Sequence, residues 1–342
     1  MSDPSHDLIQ RIEARRAHVA VIGLGYVGLP LLHAVLDAGF PATGIDHDAD
    51  KIRRLRAGQN YLPHLGDELA RRVGAEADLH HVDGALADAD VILICVPTPL
   101  SPDRTPDLQF VERASRAICQ HRIDAHPGRP CLVSLESTTW PGTCREVIAP
   151  VLGAASDGPV HIAFSPERED PGNRRFTTTN IPKLVGGLTS RDTEIAEVFY
   201  RAVVDEVVPC RTSEVAEAAK LVENVYRSVN IALVNELKLA FEAMGLDVWE
   251  ILDAAATKPF GYQRFDPGPG FGGHCVPIDP YYLAWKARAA GVESRFIELA
   301  GDVNRDMPRH VVHRCAAALA ESDLSLAGAG ILVLGIAYKK NV

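Results

Sequence analysis

The stretch HVAVIGLGYVGLPLLHAVLDAGFPATGID, residues 18–46, joins an apolar run to a glycine-rich turn, a helical pattern and a second apolar run. Gly23, Gly25 and Gly28 have the spacing G-x-G-x-x-G directly after the first run. Between a strand and a helix, such glycines allow a tight turn, close approach of a pyrophosphate to the backbone, and close packing of helix on strand. Asp46 ends the second run, and its carboxylate can accept both hydroxyl groups of an adenosine ribose but repels a 2′-phosphate. The stretch therefore predicts a dinucleotide site that prefers NAD to NADP.

Short apolar runs alternate with helical patterns from residue 18 to about residue 210. The runs are continuous and rich in β-branched residues, which is typical of parallel strands covered on both faces. The predicted strands are 18–23, 41–46, 90–97, 131–136, 160–165 and 183–187, and the predicted helices include 26–38, 48–57, 108–121 and 190–203. This order predicts an α/β domain over residues 1–210 with a Rossmann-like, doubly wound parallel sheet.

One uninterrupted helical pattern then extends from Ser213 to about Met244, without proline and with Gly245 as a stop signal. A helix of this length spans roughly 45–50 Å and is typical of the spine of a helical domain or of a dimer. Its apolar positions recur at three- and four-residue steps, which predicts a homodimer with this helix at the interface. These positions are Ala219, Val222, Tyr226, Val229, Leu233 and Leu237.

The remainder of the chain begins as helices and ends in an apolar run. Residues 247–320 have helical patterns around a Pro/Gly-rich loop at 259–280, and GILVLGIA, 330–337, predicts a further strand. We expect an all-helical central domain over 211–305, and the truncated start of a second Rossmann-like domain over 306–342.

Composition narrows the class of protein. The 342 residues are 46% apolar and 23% charged, the mean hydropathy is −0.01, and neither a membrane span nor a signal peptide is evident. We expect a soluble, cytoplasmic protein. The net charge is −10 without a basic block, so neither nucleic acid nor a membrane surface is an expected partner. The seven cysteines include no C-x-x-C pair, so we expect neither a disulfide framework nor a metal site.

Polar residues that follow strands or share a helix face are candidates for chemistry. Val96–Pro99 and Glu136–Thr139 each follow a predicted strand, and so belong at the carboxyl edge of the sheet, where ligands bind. Lys220 and Asn224 are four residues apart on one helix face, where such a pair can polarise an alcohol oxygen. Taken singly, these motifs also occur in ordinary turns and on solvated helix faces, as does Glu167. The residues predicted to contact NAD are Gly23, Gly25, Tyr26, Val27, Gly28, Asp46, Lys51, Val96, Pro97, Thr98, Ser137 and Thr138.

The loop GPGFGGHCVPID, Gly268–Asp279, has five glycines and prolines before Cys275. A structural cysteine belongs in a strand or a helix, which is the expected place of Cys95 in the predicted strand 90–97. A cysteine flanked by glycines lies where the backbone approaches a ligand. We therefore predict that Cys275 is a nucleophile, with Asp279 four residues after it.

These motifs together resemble the UDP-glucose/GDP-mannose dehydrogenase family, from about residue 18 to the last residue. Four stretches are most similar to family members that oxidise UDP-N-acetylglucosamine at C6: SPEREDPGN (165–173), IPKLVGG (181–187), KPFGYQRFDPGPGFGGHCVPIDPYYL (258–283) and RFIELAGDVN (295–304). Members that oxidise UDP-glucose typically have Ser in place of His274 and a second Glu in place of Pro171. The two departures favour an N-acetylated sugar.

The resemblance implies a four-electron oxidation of the C6 hydroxyl of a UDP-N-acetylhexosamine to a uronic acid, for surface polysaccharide synthesis. NAD would be the oxidant, and Cys275 would carry a thiohemiacetal and then a thioester. Lys220 and Asn224 would stabilise the developing oxyanion. Thr138 and Asp279 would position water, and Glu167 would contact the substrate or serve in hydrolysis. The implied substrate-binding residues are Glu167, Arg168, Lys220, Asn224, Tyr262, Phe271, Gly272, Gly273 and Lys339.

Alternatives remain open at this stage. The substrate is UDP-N-acetylmannosamine or UDP-glucose in one alternative, and in another the enzyme is a two-electron dehydrogenase of the β-hydroxyacid type, which does not need Cys275. Members of the resembled family continue after A-[FY]-K-K into a second Rossmann-like domain that holds the UDP, whereas this chain ends at Val342. In the third alternative, the chain is therefore an NAD-binding dimeric remnant without turnover. In that case we expect NAD binding with little or no oxidation of the sugar nucleotide.

Overall fold

The computed structural model of the protein describes residues 4–153, 159–168, 173, 175–273 and 276–335. The chain is divided into two compact units, with the boundary between Lys220 and Leu221. This boundary lies inside the long predicted helix.

Within the described residues, the first unit contains an eight-stranded sheet in the order β3-β2-β1-β4-β5-β6-β7-β8. The strands are β1 Val19–Ile22, β2 Ala42–Ile45, β3 Asp78–His80, β4 Val91–Ile94, β5 Cys131–Leu135, β6 Val160–Phe164, β7 Lys183–Gly187 and β8 Val207–Pro209. Strands β1 to β6 are parallel. Every residue of β1, β2, β4, β5 and β6 is buried. The Rossmann-like α/β prediction is confirmed.

Three strands differ from the sequence-based expectation. Strands β3 and β8 were not predicted, because three residues are too few to show a periodicity. Strand β7 was predicted, but it is antiparallel to β6 and parallel to β8. An apolar run does not encode the direction of its strand, since the direction depends on the connection that precedes it.

Helices cover both faces of this sheet, as its continuous apolar strands require. They are α1 Pro4–Glu13, α2 Gly28–Asp37, α3 Ala49–Arg56, α4 Asp67–Glu76, α5 Gln109–Ile118, α6 Ala149–Leu152 and α7 Ser190–Arg201. Helix α1 was not predicted, because most of its residues are polar. Its Leu8 and Ile12 are nevertheless fully buried, and the helix packs against α7.

The second unit is helical, as predicted. The long helix α8, Ser213–Ala243, enters it from the first unit, and α9 Val248–Ala256, α10 Asp279–Ala289 and α11 Arg295–Ala320 follow. A small apolar cluster joins α8 to α9 through Val234, Val248 and Leu252, with Phe241 and Phe265 against it. The described residues between α9 and α10 form neither helix nor strand. They contain the Pro/Gly-rich loop on which the predicted site depends.

The predicted strand at 330–337 is not formed in its described part. Residues 330–335 are in neither a strand nor a helix, and Leu332 and Leu334 are 82% and 86% exposed. A strand needs a neighbour to accept and donate its backbone hydrogen bonds, and no described residue pairs with this segment. In the described part of the chain, no helix combines the length and the apolar character that crossing a membrane requires.

Candidate functional site

The glycine-rich turn places three glycines for three different steric reasons. Gly23 has a φ of +91°, and a Cβ there would lie 2.4 Å from the Cys95 carbonyl oxygen. A Cβ on Gly28 would lie 1.8 Å from the Gly23 carbonyl oxygen, so α2 can start here only with glycine. A Cβ on Gly25 would meet nothing within 4 Å. The bare backbone of Gly25 is therefore open to a ligand at the N-terminus of α2, where a pyrophosphate fits.

Asp46 organises the turn as well as offering acceptors. Its Oδ2 atom accepts hydrogen bonds from the Leu24 amide and from Lys51 Nζ, each at 2.9 Å, and its Oδ1 atom accepts one from the Asp48 amide at 2.9 Å. A carboxylate has about four lone-pair positions, so acceptor capacity remains for a ribose hydroxyl. Lys51 is half-buried beside the carboxylate and presents a cation at the same position. Predicted Tyr26 stacks on His64, a residue that sequence reasoning missed, with the ring centroids 5.3 Å apart.

Ser137, one of the residues predicted to contact NAD, joins the ends of β4 and β5. Ser137 Oγ donates to the Val96 carbonyl oxygen at 2.7 Å and lies 3.3 Å from that of Ile94. Val96, Thr98 and Thr138 are partly exposed, and Pro97 is exposed. These predicted cofactor residues thus meet at the carboxyl edge of the sheet, as the topology requires.

Glu217, on the second turn of α8, is a buried acid that sequence reasoning missed. Its carboxylate accepts the Cys144 amide at 3.0 Å and also the Gly142 amide. These amides follow the segment that carries Thr138, so Glu217 ties that segment to α8. Burial raises the pKa of Glu217 to about 7, against the two backbone hydrogen bonds, which lower it. The sequence gives no sign of the role of Glu217, because more than 70 residues separate it from the amides that it accepts.

Lys220 and Glu167 are brought together in the first unit. Lys220 Nζ donates to the Glu167 carbonyl oxygen at 2.6 Å and lies 4.0 Å from Glu167 Oε2. The Lys220 side chain is 8% exposed and that of Glu167 is 19% exposed, so their charges interact with little screening by water. Arg168 Nη1 donates to the Pro182 carbonyl oxygen at 2.7 Å. Arg168 thereby fixes the backbone beside Glu167.

Asn224 and Asp279 are brought together in the second unit. Asn224 Nδ2 donates to Asp279 Oδ2 at 2.5 Å, and both residues are at least 96% buried. Asp279 is the first residue of α10. A buried carboxylate next to an amide donor has its position fixed, which suits a residue that must direct a water molecule or a hydroxyl group.

Two asparagines that sequence reasoning missed anchor the Pro/Gly-rich loop. Asn235 Oδ1 accepts the Gly268 amide at 2.8 Å, and Asn235 Nδ2 donates to Asn304 Oδ1 at 2.7 Å. Gly270 has a φ of +104°, and a Cβ there would lie 2.6 Å from the Asn304 carbonyl oxygen. The loop is thus fixed between α8 and α11. Asn235 belongs to none of the motifs quoted above, and Asn304 ends the stretch 295–304 without being singled out there, so the three-dimensional contact identifies both.

The predicted substrate residues of this loop are accessible to different degrees. Tyr262 is 37% exposed, Gly272 is exposed, and Phe271 and Gly273 are half-buried. The predicted nucleophile Cys275 lies outside the described residues, as do its neighbour His274, Pro171 and Lys339.

Five described cysteines have thiol pKa values above the ordinary value, in each case because burial disfavours the thiolate. Burial raises the pKa of Cys131 to about 11 and raises those of Cys95 and Cys144 well above 9. The pKa values of Cys119 and Cys210 are also raised by burial. A thiol that stays protonated is a poor nucleophile, so none of these five is suited to covalent catalysis.

The first unit has the strand, glycine turn, helix and acid that define the NAD-binding part of a dehydrogenase. The model of the UDP-glucose/GDP-mannose dehydrogenase family, NAD binding domain, matches residues 17–204, and that of the family's central domain matches residues 214–306. The chain belongs to the UDP-glucose/GDP-mannose dehydrogenase family. NAD is its cofactor, and the class is that of NAD-dependent oxidoreductases acting on UDP-sugars.

Named relatives cover most of the chain. A UDP-N-acetyl-D-glucosamine 6-dehydrogenase of Pseudomonas aeruginosa is 34% identical over 330 residues, which are 94% of this chain and 76% of the relative. A UDP-N-acetyl-D-mannosamine dehydrogenase of Pyrococcus horikoshii is 32% identical over 329 residues, which are 94% of this chain and 76% of the relative. The solved structure of a UDP-D-ManNAc dehydrogenase from Pyrococcus horikoshii matches with a TM-score of 0.82 and 30% identity, over 90% of this chain and 72% of that one.

Two substitutions in the glycine turn, Gly25→Ala and Gly28→Ala, should affect different properties, the first NAD binding and the second stability. Gly25→Ala should leave the thermal unfolding midpoint unchanged, because its Cβ meets no atom within 4 Å, but should raise the Kd for NAD about tenfold by blocking the pyrophosphate. Gly28→Ala should lower the free energy of unfolding by about 1–3 kcal/mol through overpacking. Calorimetry of unfolding and titration of NAD measure the two effects. An unchanged Kd for Gly25→Ala would place the pyrophosphate elsewhere.

Glu217 predicts a pH dependence of stability. Its pKa is raised from 4.5 to about 7 in the folded protein, so the folded state retains a proton that the unfolded state loses. Stability contributed by this proton is lost as pH rises from about 4.5 to about 7. Unfolding by urea between pH 5 and 8 should therefore show a flatter profile for Glu217→Gln than for the wild type. Glu236→Gln, at an exposed position of α8, is the control and should keep the wild-type profile. Equal slopes for Glu217→Gln and the wild type would contradict the assignment.

Proposed function

We propose that this protein catalyses the NAD-dependent four-electron oxidation of the C6 hydroxyl of a UDP-N-acetylhexosamine to the uronic acid. The proposed substrate is UDP-N-acetylglucosamine. The observation that carries the proposal is the buried hydrogen bond between Asn224 and Asp279 at 2.5 Å. A buried polar pair of this kind contributes little to stability compared with apolar packing. Its position at the start of α10, four residues after Cys275 in the sequence, fits a catalytic role.

The chemistry assigned to these residues balances over two oxidations and one hydrolysis. The C6 alcohol loses a proton and a hydride to give an aldehyde. The Cys275 thiolate adds to its carbonyl carbon, and the oxygen takes up a proton to form a thiohemiacetal. Loss of a second hydride from C6, together with the hydroxyl proton, gives a thioester, and water then releases the carboxylate, the free thiol and a proton. NAD, when bound, accepts one hydride in each oxidation.

Charge complementarity supports the role of Lys220. The alcohol oxygen gains negative charge as its proton departs, before hydride leaves the C6 carbon, and a buried ammonium stabilises that charge strongly because water is excluded. Lys220 is 7% exposed, and Asn224, one helical turn later in the sequence, offers an amide donor. Thr138 and Asp279 are assigned to position the hydrolytic water, and Glu167 to contact the substrate or assist the hydrolysis.

The described cysteines favour Cys275 as the nucleophile. Burial raises the pKa values of five of them. Cys275 instead follows a run of glycines in a loop whose Gly268 amide donates to Asn235 and whose Gly270 lies close to Asn304. The remaining described cysteine, Cys315, is exposed on α11. The substrate residues are assigned as Glu167, Arg168, Lys220, Asn224, Tyr262, Phe271, Gly272, Gly273 and Lys339.

Two departures in the sequence and the names of the relatives support the choice of an N-acetylated sugar. Pro171 and His274 replace residues typical of members that oxidise UDP-glucose. The relatives reported above are named for UDP-N-acetylglucosamine and for UDP-N-acetylmannosamine. We assign the glucosamine epimer on the similarity of residues 258–283. We also assign residues 1–210 to NAD binding, 211–305 to the central domain and 306–342 to the start of a UDP-binding domain, in a cytoplasmic enzyme.

The reaction is tested by counting NADH per sugar nucleotide consumed. The wild type should form two NADH and one uronate per UDP-N-acetylglucosamine, and should prefer it to the mannosamine epimer and to UDP-glucose. Cys275→Ser should abolish uronate formation, because a hydroxyl is a poor nucleophile at neutral pH, while the Kd for NAD stays unchanged. Cys315→Ser, at the exposed cysteine, should behave as the wild type.

Three results would each contradict this assignment. One NADH per sugar would indicate a two-electron dehydrogenase. Uronate formed by Cys275→Ser at the wild-type rate would remove the thioester. NAD binding without oxidation of any of the three sugar nucleotides would favour a binding function over an enzymatic one.

We propose in addition that the protein is a homodimer through α8. Val222, Tyr226 and Leu233 are 58%, 49% and 50% exposed on this helix in the single chain, and together they form an apolar face. Sedimentation at micromolar concentration should give a dimer for the wild type and a monomer for the double variant Val222→Glu, Leu233→Glu. Val82→Glu, at a position 50% exposed in the first unit, should remain dimeric. A monomeric wild type would refute the proposal.

A further inference from the structure

The reversal of β7 brings a lysine to the carboxyl edge of the sheet. Strand β7 is antiparallel to β6, with Phe164 opposite Gly186, so the amino end of β7 lies where the parallel strands have their carboxyl ends. Lys183 is the first residue of β7. It therefore lies beside the segment Ser165–Arg168, which follows β6 and carries Glu167.

Lys183 connects two strand ends through buried contacts. Its Nζ atom lies 2.7 Å from Glu136 Oε2 and donates to the Pro166 carbonyl oxygen at 3.3 Å. Lys183 is 6% exposed and Glu136 is 2% exposed. Glu136 directly follows β5 and directly precedes Ser137 and Thr138. The Lys183 ammonium group thus lies next to two segments assigned to hydrolysis: the segment after β5 that carries Thr138 and the segment after β6 that carries Glu167.

A tyrosine holds the other oxygen of Glu136. The Tyr200 hydroxyl donates to Glu136 Oε1 and lies 2.7 Å from Ser134 Oγ. Burial, together with the negative charge of Glu136, raises the pKa of this hydroxyl well above its ordinary value, so it remains a donor at every physiological pH. Lys183 Nζ also lies 5.2 Å from the centroid of the Tyr200 ring. Glu136 therefore has a fixed partner for each of its carboxylate oxygens.

The energetics argue against a purely stabilising role. A buried ion pair contributes little compared with apolar side chains of the same volume, since desolvation offsets most of the attraction. An apolar side chain, however, cannot bind the Pro166 carbonyl oxygen. Lys220 binds the next carbonyl oxygen, that of Glu167, at 2.6 Å. Two successive carbonyl groups are thus held by two buried ammonium groups, which fixes the direction of the backbone at Glu167.

We propose that Lys183, through its buried pair with Glu136, is a positioning residue that aligns Glu167 and Lys220 for the oxidation and hydrolysis. The proposal rests on the proposed function. It assigns no chemical step to Lys183 or Glu136, whose atoms are occupied by each other, by Tyr200 and by the Pro166 carbonyl oxygen. Loss of the ammonium group should let residues 165–168 move, and displacements of about 1 Å reduce turnover by up to about 100-fold.

Three variants separate positioning from folding. Lys183→Met has a similar length without charge, Lys183→Arg keeps the charge, and the double variant Glu136→Gln, Lys183→Met removes both charges so that no unpaired carboxylate remains buried. We expect kcat to fall at least about tenfold in Lys183→Met and in the double variant, with a Kd for NAD within about twofold of the wild type. The thermal midpoint should fall in Lys183→Met and recover in the double variant. Lys183→Arg should recover part of kcat.

Hydrogen exchange gives a second measurement that does not need turnover. Amides in a peptide covering residues 165–168 should exchange at least about tenfold faster in Lys183→Met and in the double variant, and amides of β1 should be unchanged. Unchanged exchange at 165–168, or a wild-type kcat in the double variant, would overturn the positioning role. A failure of the proposed function can be told apart from a failure of this proposal. In the first case the wild type does not form two NADH per sugar nucleotide. The exchange rates at residues 165–168 still decide whether Lys183 positions this segment.

Discussion

The contact between the first strand and the first crossover helix constrains the NAD-binding unit. Helix α2 begins so close to β1 that a Cβ on Gly28 would lie 1.8 Å from the Gly23 carbonyl oxygen. This approach aims the N-terminus of α2 at the open face of Gly25 and leaves Asp46, at the end of the neighbouring strand, within reach of the Leu24 amide at 2.9 Å. Because β1 to β6 are parallel, the residues after β4, β5 and β6 meet at the same edge. The cofactor site and the segment with Glu167 therefore follow from one tight turn and one strand direction.

Cations that bind carbonyl oxygens recur at this edge; Lys183 and Lys220 are buried and Arg168 is half-buried. Lys183, Lys220 and Arg168 donate to the carbonyl oxygens of Pro166, Glu167 and Pro182, respectively. Each contact uses a long side chain from one element to fix the backbone of another. A loop that follows a strand has no ladder partner of its own, so side-chain donors replace the missing backbone donors. The result is an irregular segment held by side-chain hydrogen bonds, which suits residues that must meet a substrate in one geometry.

The elements that the sequence predicts best are those whose signal is local and repeated. The six strands predicted between residues 18 and 187, the long helix predicted from Ser213 to about Met244 and the glycine turn all have patterns that extend over several residues, and all are present. The apolar run at 330–337 forms no strand in its described part. Strand β3 has three residues, and helix α1 is largely polar, so neither shows a pattern strong enough to predict. The candidate site was predicted where motifs mark it, at Gly25, Asp46, Lys220 and Asn224. Glu217, Asn235 and Lys183 were not singled out, because their partners are distant in sequence; Glu217 and Asn235 belong to no motif, and the stretch 181–187 that contains Lys183 does not indicate what this side chain contacts.

The missed residues share one physical property: each is a buried polar group with hydrogen-bond partners inside the protein. Glu217, Asn235 and Lys183 bind backbone groups or other polar side chains rather than solvent. Burying such groups has a desolvation cost that apolar residues avoid, so a chain selected for stability alone has little reason to keep them. In a site that must orient substrate atoms, directional hydrogen bonds provide an accuracy that apolar packing does not. Buried polar residues next to a loop are therefore a better guide to the functional edge of this fold than the apolar pattern that produces the fold.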